Sequence, residues 1–357
     1  MLSDCPRLDE PVWQDAYQSL LERTRQRRIP LSAHWELTYR CNMDCVHCYA
    51  TDRTRPGELT PSESLRVLDE LVEAECLFLC LTGGEIFCRS DLIPFLRAAR
   101  ARGFALRLLT NGTLLTPAAA DALADIQPLS VEISLYAMDP GLHDAVTTVP
   151  GSHDRTLAAL HMCRERGLNL AVKTVLMKSN VSEYEAICAF ARDLGARLVF
   201  DLVLAPSDQG MDVMDRQGLS EDDLVLFFRE HGRPPPLASG PGVRPDPAEP
   251  VCGQAANTVA ISPSGDVFPC LAIRRSMGNL RDKPFRDIWI GSELVSWAGL
   301  RYTHLTTCRV CPVFNGCIRC PGLAWAESGD VTGCSRAARR VARAIRRAWG
   351  GNREMES

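Results

Sequence analysis

Residues 39–49 read YRCNMDCVHCY and place Cys41, Cys45 and Cys48 on one short loop, directly after an apolar run. Three thiolates at this spacing can hold three irons of a 4Fe–4S cluster and leave the fourth iron open to a small chelating molecule. Zinc is the alternative metal, and it needs a fourth ligand. His47 is available, but it lies between two of the cysteines and is badly placed to reach the same ion. The loop therefore predicts an iron–sulfur site.

Length and composition set the class of protein that carries this loop. The chain has 357 residues, of which 46% are hydrophobic, so two domains and a sizeable core can form. The net charge of −4 gives no electrostatic reason to expect a nucleic-acid partner. No long apolar run or secretory signal is present, which predicts a cytoplasmic protein with no membrane partner. In that reducing compartment, clusters among the 16 cysteines indicate metal ligands or catalytic thiols rather than disulfides.

Outward from the loop, residues 32–204 alternate between short apolar runs and longer amphipathic ones. The apolar runs are nearly continuous, as strands buried on both faces should be. The alternation predicts parallel βαβ units, and six units are too few for a closed eight-fold barrel. We therefore expect an α/β fold, a partial (β/α)6 TIM-like open barrel. The predicted strands are 33–38, 77–82, 105–110, 129–134, 170–176 and 198–204.

The regions outside the barrel differ sharply in composition. A stretch packed with Pro and Gly predicts a flexible or extended linker, and a cysteine-rich region with little periodicity follows it. Six arginines near the end indicate a basic amphipathic helix, either a solvated face or a docking surface for an acidic partner. The predicted division is an N-terminal helical extension at 1–31, the barrel at 32–231, the linker at 232–250, the cysteine-rich domain at 251–334 and the basic helix and tail at 335–357.

The cysteine loop resembles the signature of the radical S-adenosylmethionine (SAM) superfamily, and Gly83-Gly84-Glu85 after the second strand is similar to its GGE motif. The resemblance implies reductive cleavage of SAM to a 5′-deoxyadenosyl radical, which abstracts a hydrogen atom from the substrate. It also implies that Glu85 receives the methionine amino group and that Lys173 pairs with the methionine carboxylate. The residues implied to bind SAM are Tyr49, Gly83, Gly84, Glu85, Asn111, Ser134 and Lys173.

Seven more cysteines lie at 252–334, a pattern that resembles the SPASM extension of this superfamily and implies two auxiliary iron–sulfur clusters. An outer set would ligate one cluster fully, and an inner set would leave an open or non-cysteine position on the other. A zinc scaffold is the alternative, because two of these cysteines have zinc-knuckle spacing. The outer set is Cys308, Cys311, Cys317 and Cys334, and the inner set is Cys252, Cys270 and Cys320. Six scattered cysteines are predicted to be small buried hydrophobes: Cys5, Cys76, Cys80, Cys88, Cys163 and Cys188.

Enzymes of the branch that this chain resembles mostly modify ribosomally synthesised peptides, which implies a peptide substrate and a cross-link, thioether, epimerisation or excision. Tetrapyrrole side-chain chemistry is the alternative within the superfamily, and a non-catalytic iron–sulfur or zinc scaffold is the alternative outside it. Leu271 stands where sulfatase-maturating relatives place an aspartate that serves as a base, which argues against formylglycine formation. The resemblance implies a reductant such as flavodoxin or ferredoxin. Because few residues precede the first strand, leader recognition is predicted for a separate leader-peptide-binding protein or for the basic helix.

Overall fold

The computed structural model describes residues 11–50, 57–207, 213–232 and 246–349. Most of the linker predicted at 232–250 lies outside the described residues, as do the first ten residues and the tail after residue 349. In the ranges given, no helix is both long enough and apolar enough to cross a membrane.

One eight-stranded sheet forms the centre of the fold, with strand order β6-β5-β4-β3-β2-β1-β7-β8. The first six strands are all parallel and follow one another across the sheet in chain order. The sheet stays open over the described residues, which confirms the predicted partial barrel. The strands are β1 Ser32–Thr38, β2 Phe78–Gly83, β3 Ala105–Thr110, β4 Ser130–Ser134, β5 Leu170–Val175, β6 Arg197–Asp201, β7 Thr258–Ile261 and β8 Val267–Phe268.

The cysteine-rich region adds two strands to this sheet that the sequence pattern did not predict. Strand β7 runs parallel to β1, from Ser32 opposite Thr258 to Trp35 opposite Ile261, and β8 pairs antiparallel with β7. Both strands are short and lie between turns and cysteines, where period-two alternation is hard to detect. The barrel and the cysteine-rich region therefore share one sheet.

Several helices begin at capping signals in the sequence, as α2 shows. Helix α2 begins after Thr60, whose side chain accepts a hydrogen bond from the Glu63 backbone while the Glu63 carboxylate accepts one from the Thr60 backbone. This fixes the face that buries Val67, Leu68 and Leu71. The helices are α1 Pro11–Gln26, α2 Pro61–Glu73, α3 Leu92–Ala101, α4 Pro117–Ile126, α5 Pro140–Thr147, α6 Ser152–Glu165, α7 Tyr184–Leu194, α8 Val213–Gln217, α9 Glu221–His231, α10 Phe285–Trp289, α11 Ser292–Ala298, α12 Thr306–Arg309, α13 Pro321–Ser328 and α14 Arg336–Trp349.

The scattered cysteines divide into buried and partly exposed groups. Cys76, Cys80 and Cys163 are buried as predicted, and burial raises the pKa of Cys76 to about 12. Cys88 and Cys188 are half-buried instead, and Cys5 lies outside the described residues. The prediction of inert core thiols is therefore right for three positions and too strong for two.

Candidate active site

The cysteine loop between β1 and α2 is held by backbone hydrogen bonds on two sides. The Glu85 amide, just after β2, donates to the Arg40 carbonyl of the loop at 2.9 Å. On the other side, the Val46 amide donates to the Val146 carbonyl of α5 at 3.0 Å. Both anchors are main-chain groups of packed elements, so they fix the loop between the end of β2 and α5.

The three loop thiols meet at one wall of a cavity of about 230 Å³, the first cavity, beside the ends of the strands. Burial, and then the thiolate charges of Cys45, Cys48 and Cys41, raise the pKa of the Tyr136 hydroxyl well above its usual range. All three sulfurs therefore lie within electrostatic reach of one phenol. The spacing of the three cysteines predicted that their thiols converge on one site.

Six of the seven residues predicted to bind SAM also line the first cavity, although they come from four different strands and the loop. They meet because the carboxyl ends of parallel strands lie along one edge of a sheet. These six residues are Tyr49, Gly83, Gly84, Asn111, Ser134 and Lys173.

Glu85 is the seventh residue, and it lies behind the cavity wall rather than on it. Its side chain is fully buried. One carboxylate oxygen accepts hydrogen bonds from Thr110 Oγ1 at 2.7 Å and the Phe87 amide at 3.0 Å, and the other accepts from the Asn111 amide at 2.7 Å. Burial raises the pKa of Glu85, against these three hydrogen bonds, which lower it. The geometry supports a positioning role, in which Glu85 fixes the end of β3.

The sequence pattern predicted no role for His47 in this cavity and did not single out Tyr136. Their rings meet edge to face with centroids 4.8 Å apart. Burial lowers the pKa of His47 to about 4, so the imidazole is neutral near pH 7, and its Nδ1 is buried without a hydrogen-bond partner in the described part of the chain. Tyr136 follows β4 by two residues, and that position past a strand end was the available signal.

A buried ion pair lies beside the loop and was also missed. The two terminal nitrogens of Arg274, Nη2 and Nη1, donate to the Glu36 carboxylate of β1 at 2.6 and 2.9 Å. Glu36 also accepts from the hydroxyls of Tyr39 and Tyr49, each at 2.9 Å. Arg274 lies over the Tyr49 ring, 5.3 Å from its centroid. A carboxylate within an apolar strand was the sequence signal for this network.

A second cavity of about 410 Å³ lies on the other side of Tyr49, between the barrel and the cysteine-rich region. Its walls carry Trp325 of α13 and Leu271, which directly follows Cys270 of the inner set. Tyr49 lines both cavities. A group bound in the second cavity therefore lies next to both the loop pocket and the inner cysteines. The second cavity is lined by Tyr49, Ala205, Pro206, Ser207, Leu271, Ala272, Arg274, Trp325 and Ala326.

Two thiols of the cysteine-rich region lie near other cysteines of the same implied set. Burial, and then the charges of Cys308, Cys334 and Cys311, raise the pKa of Cys317 to about 12. Burial first, with smaller effects of Cys252 and Cys320, raises the pKa of Cys270 to about 12. The pKa of each of these two thiols is thus also raised by the charges of cysteines in its own set.

Gly322 shows how closely two inner-set sulfurs approach. A Cβ at this position would lie 3.4 Å from Cys270 Sγ and 3.5 Å from Cys320 Sγ. Cys320 also caps α13, because its Sγ accepts a hydrogen bond from the Leu323 amide at 3.4 Å. The start of α13 therefore holds two inner-set thiols around a residue with no side chain.

Comparison with known proteins agrees with this geometry. The radical SAM superfamily profile matches residues 35–191, and the profile of SPASM, an iron–sulfur cluster-binding domain, matches residues 252–312. Mycofactocin maturase MftC of Mycolicibacterium smegmatis is 32% identical over 312 residues, which cover 81% of this chain and 77% of that protein. The chain belongs to the radical SAM superfamily.

Two further similarities fit the same assignment. The AdoMet-dependent heme synthase of Methanosarcina barkeri is 28% identical over 324 residues, covering 83% of this chain and 92% of that protein. Streptococcus suis SuiB bound to S-adenosylmethionine superposes with a TM-score of 0.68 at 16% identity, over 91% of this chain and 81% of that one, which shows the fold. This radical SAM protein is an enzyme that uses a 4Fe–4S cluster and SAM, with a SPASM domain that binds iron–sulfur.

The donors of this radical SAM enzyme suit that chemistry. The loop and the two C-terminal sets offer thiols, the ligands that hold iron–sulfur clusters, and the walls of the first cavity carry no acidic side chain. In the described ranges, no group of three or more His, Cys, Asp or Glu side chains is placed to hold a single metal ion. By donor type, the loop and the cysteine-rich region fit iron–sulfur clusters.

Proposed function

We propose that this radical SAM enzyme modifies a ribosomally synthesised peptide, with Cys41, Cys45 and Cys48 as ligands of the catalytic cluster. When bound there, the cluster and SAM supply hydrogen-atom abstraction from the substrate. The observation that carries the proposal is the second cavity, which adjoins the first across Tyr49. A side chain placed there is next to the pocket proposed for SAM, within reach of hydrogen-atom abstraction.

The second cavity suits a side chain better than a large charged molecule. Leu271, Ala272 and Trp325 give it apolar walls, and Arg274 is the charged residue among its lining residues. Because the Glu36 carboxylate already neutralises Arg274, the cavity offers little net charge to a ligand. An aliphatic or aromatic residue of a peptide matches these walls, and the name of the relative MftC, a mycofactocin maturase, agrees with a maturation reaction.

Tetrapyrrole chemistry is the second candidate, and the similarity to AdoMet-dependent heme synthase favours it. Heme-type tetrapyrroles carry several propionates, each of which needs a positive partner when it is buried. The second cavity supplies only the paired Arg274 among its lining residues. A peptide is therefore the better match.

The ligand roles proposed for the remaining residues follow their places in the structure. Backbone groups of Gly83 and Gly84, with Tyr49, Asn111 and Ser134, line the pocket for SAM. Lys173 pairs with the methionine carboxylate, and Glu85 positions the strand end. The inner and outer sets each hold an auxiliary cluster, and the fourth position of the inner cluster has no cysteine.

The partners and location proposed for the enzyme follow from its chemistry. Reduction of the catalytic cluster needs an external low-potential donor, such as flavodoxin or ferredoxin. A separate leader-binding protein brings the peptide to a cytoplasmic enzyme, where thiols stay reduced.

Incubation of the anaerobically reconstituted enzyme with SAM and dithionite tests the enzymatic assignment. We expect 5′-deoxyadenosine, which a non-catalytic scaffold does not form. Two substrate candidates are then compared: the peptide encoded by a short reading frame beside the gene, and an iron porphyrin that carries propionates. A mass change in the peptide supports the proposal. A mass change in the porphyrin alone would replace the peptide with a tetrapyrrole.

A further inference from the structure

A cleft of about 550 Å³, the arginine cleft, lies far along the chain from the two cavities, between helix α14 and the segment that follows Cys311. One wall is a row of arginines, of which Arg339, Arg343 and Arg346 are spaced three or four residues apart, on one face of the helix. Pro312 and Val313 form part of the other wall. The four arginines are Arg339, Arg343, Arg346 and Arg347.

Three of these four arginines have no counter-charge among the residues that the structure describes. Arg347 is paired, with Glu221 at 3.1 Å and Asp222 at 2.8 Å. Arg339, Arg343 and Arg346 are exposed, and their side chains have no hydrogen bond or ion pair with any residue that the structure describes. A strongly positive site thus lies on a chain whose net charge is −4, which selects for an acidic partner.

The apolar face of α14 is already used within the protein. Ala337, Val341, Ala344 and Ile345 are buried, and the Trp349 ring packs on Phe228 of α9 with centroids 5.6 Å apart. A helix that lies in a membrane surface needs that face free. The helix offers a partner its charged face, which suits a protein surface rather than a lipid one.

The wall opposite the arginines belongs to the segment between two cysteines of the outer set, Cys311 and Cys317. Pro312 and Val313 directly follow Cys311, and Gly316 directly precedes Cys317. Gly316 packs against α14 so closely that a Cβ there would lie 3.2 Å from the Ile345 side chain. A molecule in the arginine cleft is therefore one short segment away from two proposed cluster ligands.

We propose that the arginine cleft docks an acidic one-electron carrier, a small flavin or iron–sulfur protein, against the outer auxiliary cluster. The inference rests on the proposed function in one respect, that the outer set holds an iron–sulfur cluster. One electron leaves the reduced carrier and enters the iron–sulfur site; no bond forms or breaks, and no group is transferred. A leader peptide is the poorer occupant, because the cleft and the second cavity share no lining residue.

Binding of an acidic bacterial flavodoxin to the reconstituted full-length enzyme tests this docking site. Oxidised flavodoxin is used, so that the dissociation constant is measured without turnover, at low and at physiological ionic strength. The test variant is Arg339→Glu/Arg343→Glu. The control is Arg100→Glu/Arg164→Glu, an equal charge change at exposed arginines of the barrel helices α3 and α6. We expect the test variant to bind roughly ten-fold more weakly at low salt with a smaller salt dependence, and the control to match the wild type.

Three outcomes overturn the proposal. Equal binding by the test variant and the wild type, or an equal loss in the control, removes the cleft from electron-carrier docking. Loss of precursor-peptide binding with unchanged flavodoxin binding assigns the cleft to the leader instead. If charge reversal lowers the melting temperature, the milder Arg343→Gln replaces it, with an expected loss of about two- to three-fold.

Activity and iron content separate this proposal from the proposed function. Dithionite needs no docking site, so the test variant should form 5′-deoxyadenosine with dithionite at the wild-type rate. Absence of that product in the wild type would overturn the enzymatic assignment, whereas flavodoxin binding and iron content would still be measurable.

Discussion

Arg274 holds both carboxylate oxygens of Glu36 across 238 residues of sequence, and both side chains are largely removed from solvent. Burial lowers the pKa of Arg274, but the charge of Glu36 and the hydrogen bonds to it outweigh burial and raise that pKa above its usual range. Since Glu36 also bonds the hydroxyl of Tyr49, this one pair joins the cysteine-rich region to the residue after Cys48.

The first prediction concerns that pair. Arg274→Met leaves Glu36 buried without a counter-charge, and we expect a loss of roughly 3–5 kcal/mol in the free energy of unfolding. Calorimetric melting of the reconstituted protein measures the loss. The double variant Arg274→Met/Glu36→Gln should recover part of it, because the stranded charge is gone. Arg275→Ala is the control, since Arg275 and Glu293 form an exposed pair that contributes little. Similar losses in Arg274→Met and Arg275→Ala would show that the buried pair is not special.

The second prediction concerns Gly84. A Cβ here would overlap the carbonyl of Arg40 in the cysteine loop, a backbone atom that no side-chain rotation can clear. Gly84→Ala should displace the loop and lower 5′-deoxyadenosine formation by about a hundred-fold. Gly103→Ala is the control, because its Cβ meets open space and only a left-handed backbone is strained. Comparable losses in both variants would point to general instability.

The third prediction assigns iron to the cysteine sets. Cys45→Ala, Cys270→Ala and Cys317→Ala should each bind about four fewer irons per chain than the wild type. Only Cys45→Ala is expected to lose SAM cleavage through loss of the cluster that binds SAM. Iron analysis and 5′-deoxyadenosine assays measure both effects, with Cys88→Ala as a thiol control near the loop. Full iron retention in Cys317→Ala would remove the outer set as a cluster site.

The fourth prediction is the pH dependence of the iron-free fold. Burial raises the pKa of Cys270 and Cys317 to about 12, whereas thiols in the unfolded chain ionise near pH 8.5. The unfolded state therefore loses protons first. The stability from these groups is complete below about pH 8.5 and falls as pH rises toward 12, by up to about 1.4 kcal/mol per unit and group. Melting of the reduced, iron-free protein at several pH values measures the decline. Cys270→Ala/Cys317→Ala should flatten it, and an unchanged slope would contradict the assignment.

The fifth prediction concerns Trp325 in the second cavity. Trp325→Ala removes one apolar wall, so a substrate side chain is held less firmly while the SAM pocket is unaltered. The ratio of modified product to 5′-deoxyadenosine should fall by about ten-fold. Trp349→Ala, which lies on α14, should leave this ratio unchanged. Equal coupling in Trp325→Ala and the wild type would place the substrate elsewhere.

The sequence predicted best what depends on local pattern. The apolar runs at 105–110 and 170–176 became β3 and β5, because strands buried on both faces leave a continuous signal. The loop thiols and the strand-end residues converge because parallel strands end at one edge, which is a rule of topology and needs no coordinates.

Contacts between residues far apart in sequence, and the directions of side chains, could not be predicted from local sequence pattern. Nothing near Glu36 in sequence indicates Arg274, because the two meet only after the cysteine-rich region has packed on the barrel. Glu85 stands at the expected position, but its carboxylate turns toward Thr110 and Asn111, a choice set by nearby hydrogen-bond donors. Strand β7 has only four residues, too few for a periodicity to stand out.

Because β7 pairs with β1, the cysteine-rich region covers what would otherwise be an exposed edge strand. Without it, the backbone of residues 32–35 would present unpaired amides and carbonyls beside Trp35, a template for chains of the same kind. A fragment that ends before residue 250 should therefore self-associate through this exposed strand edge. Any exchange of the C-terminal module between such proteins has to carry the matching strand with it.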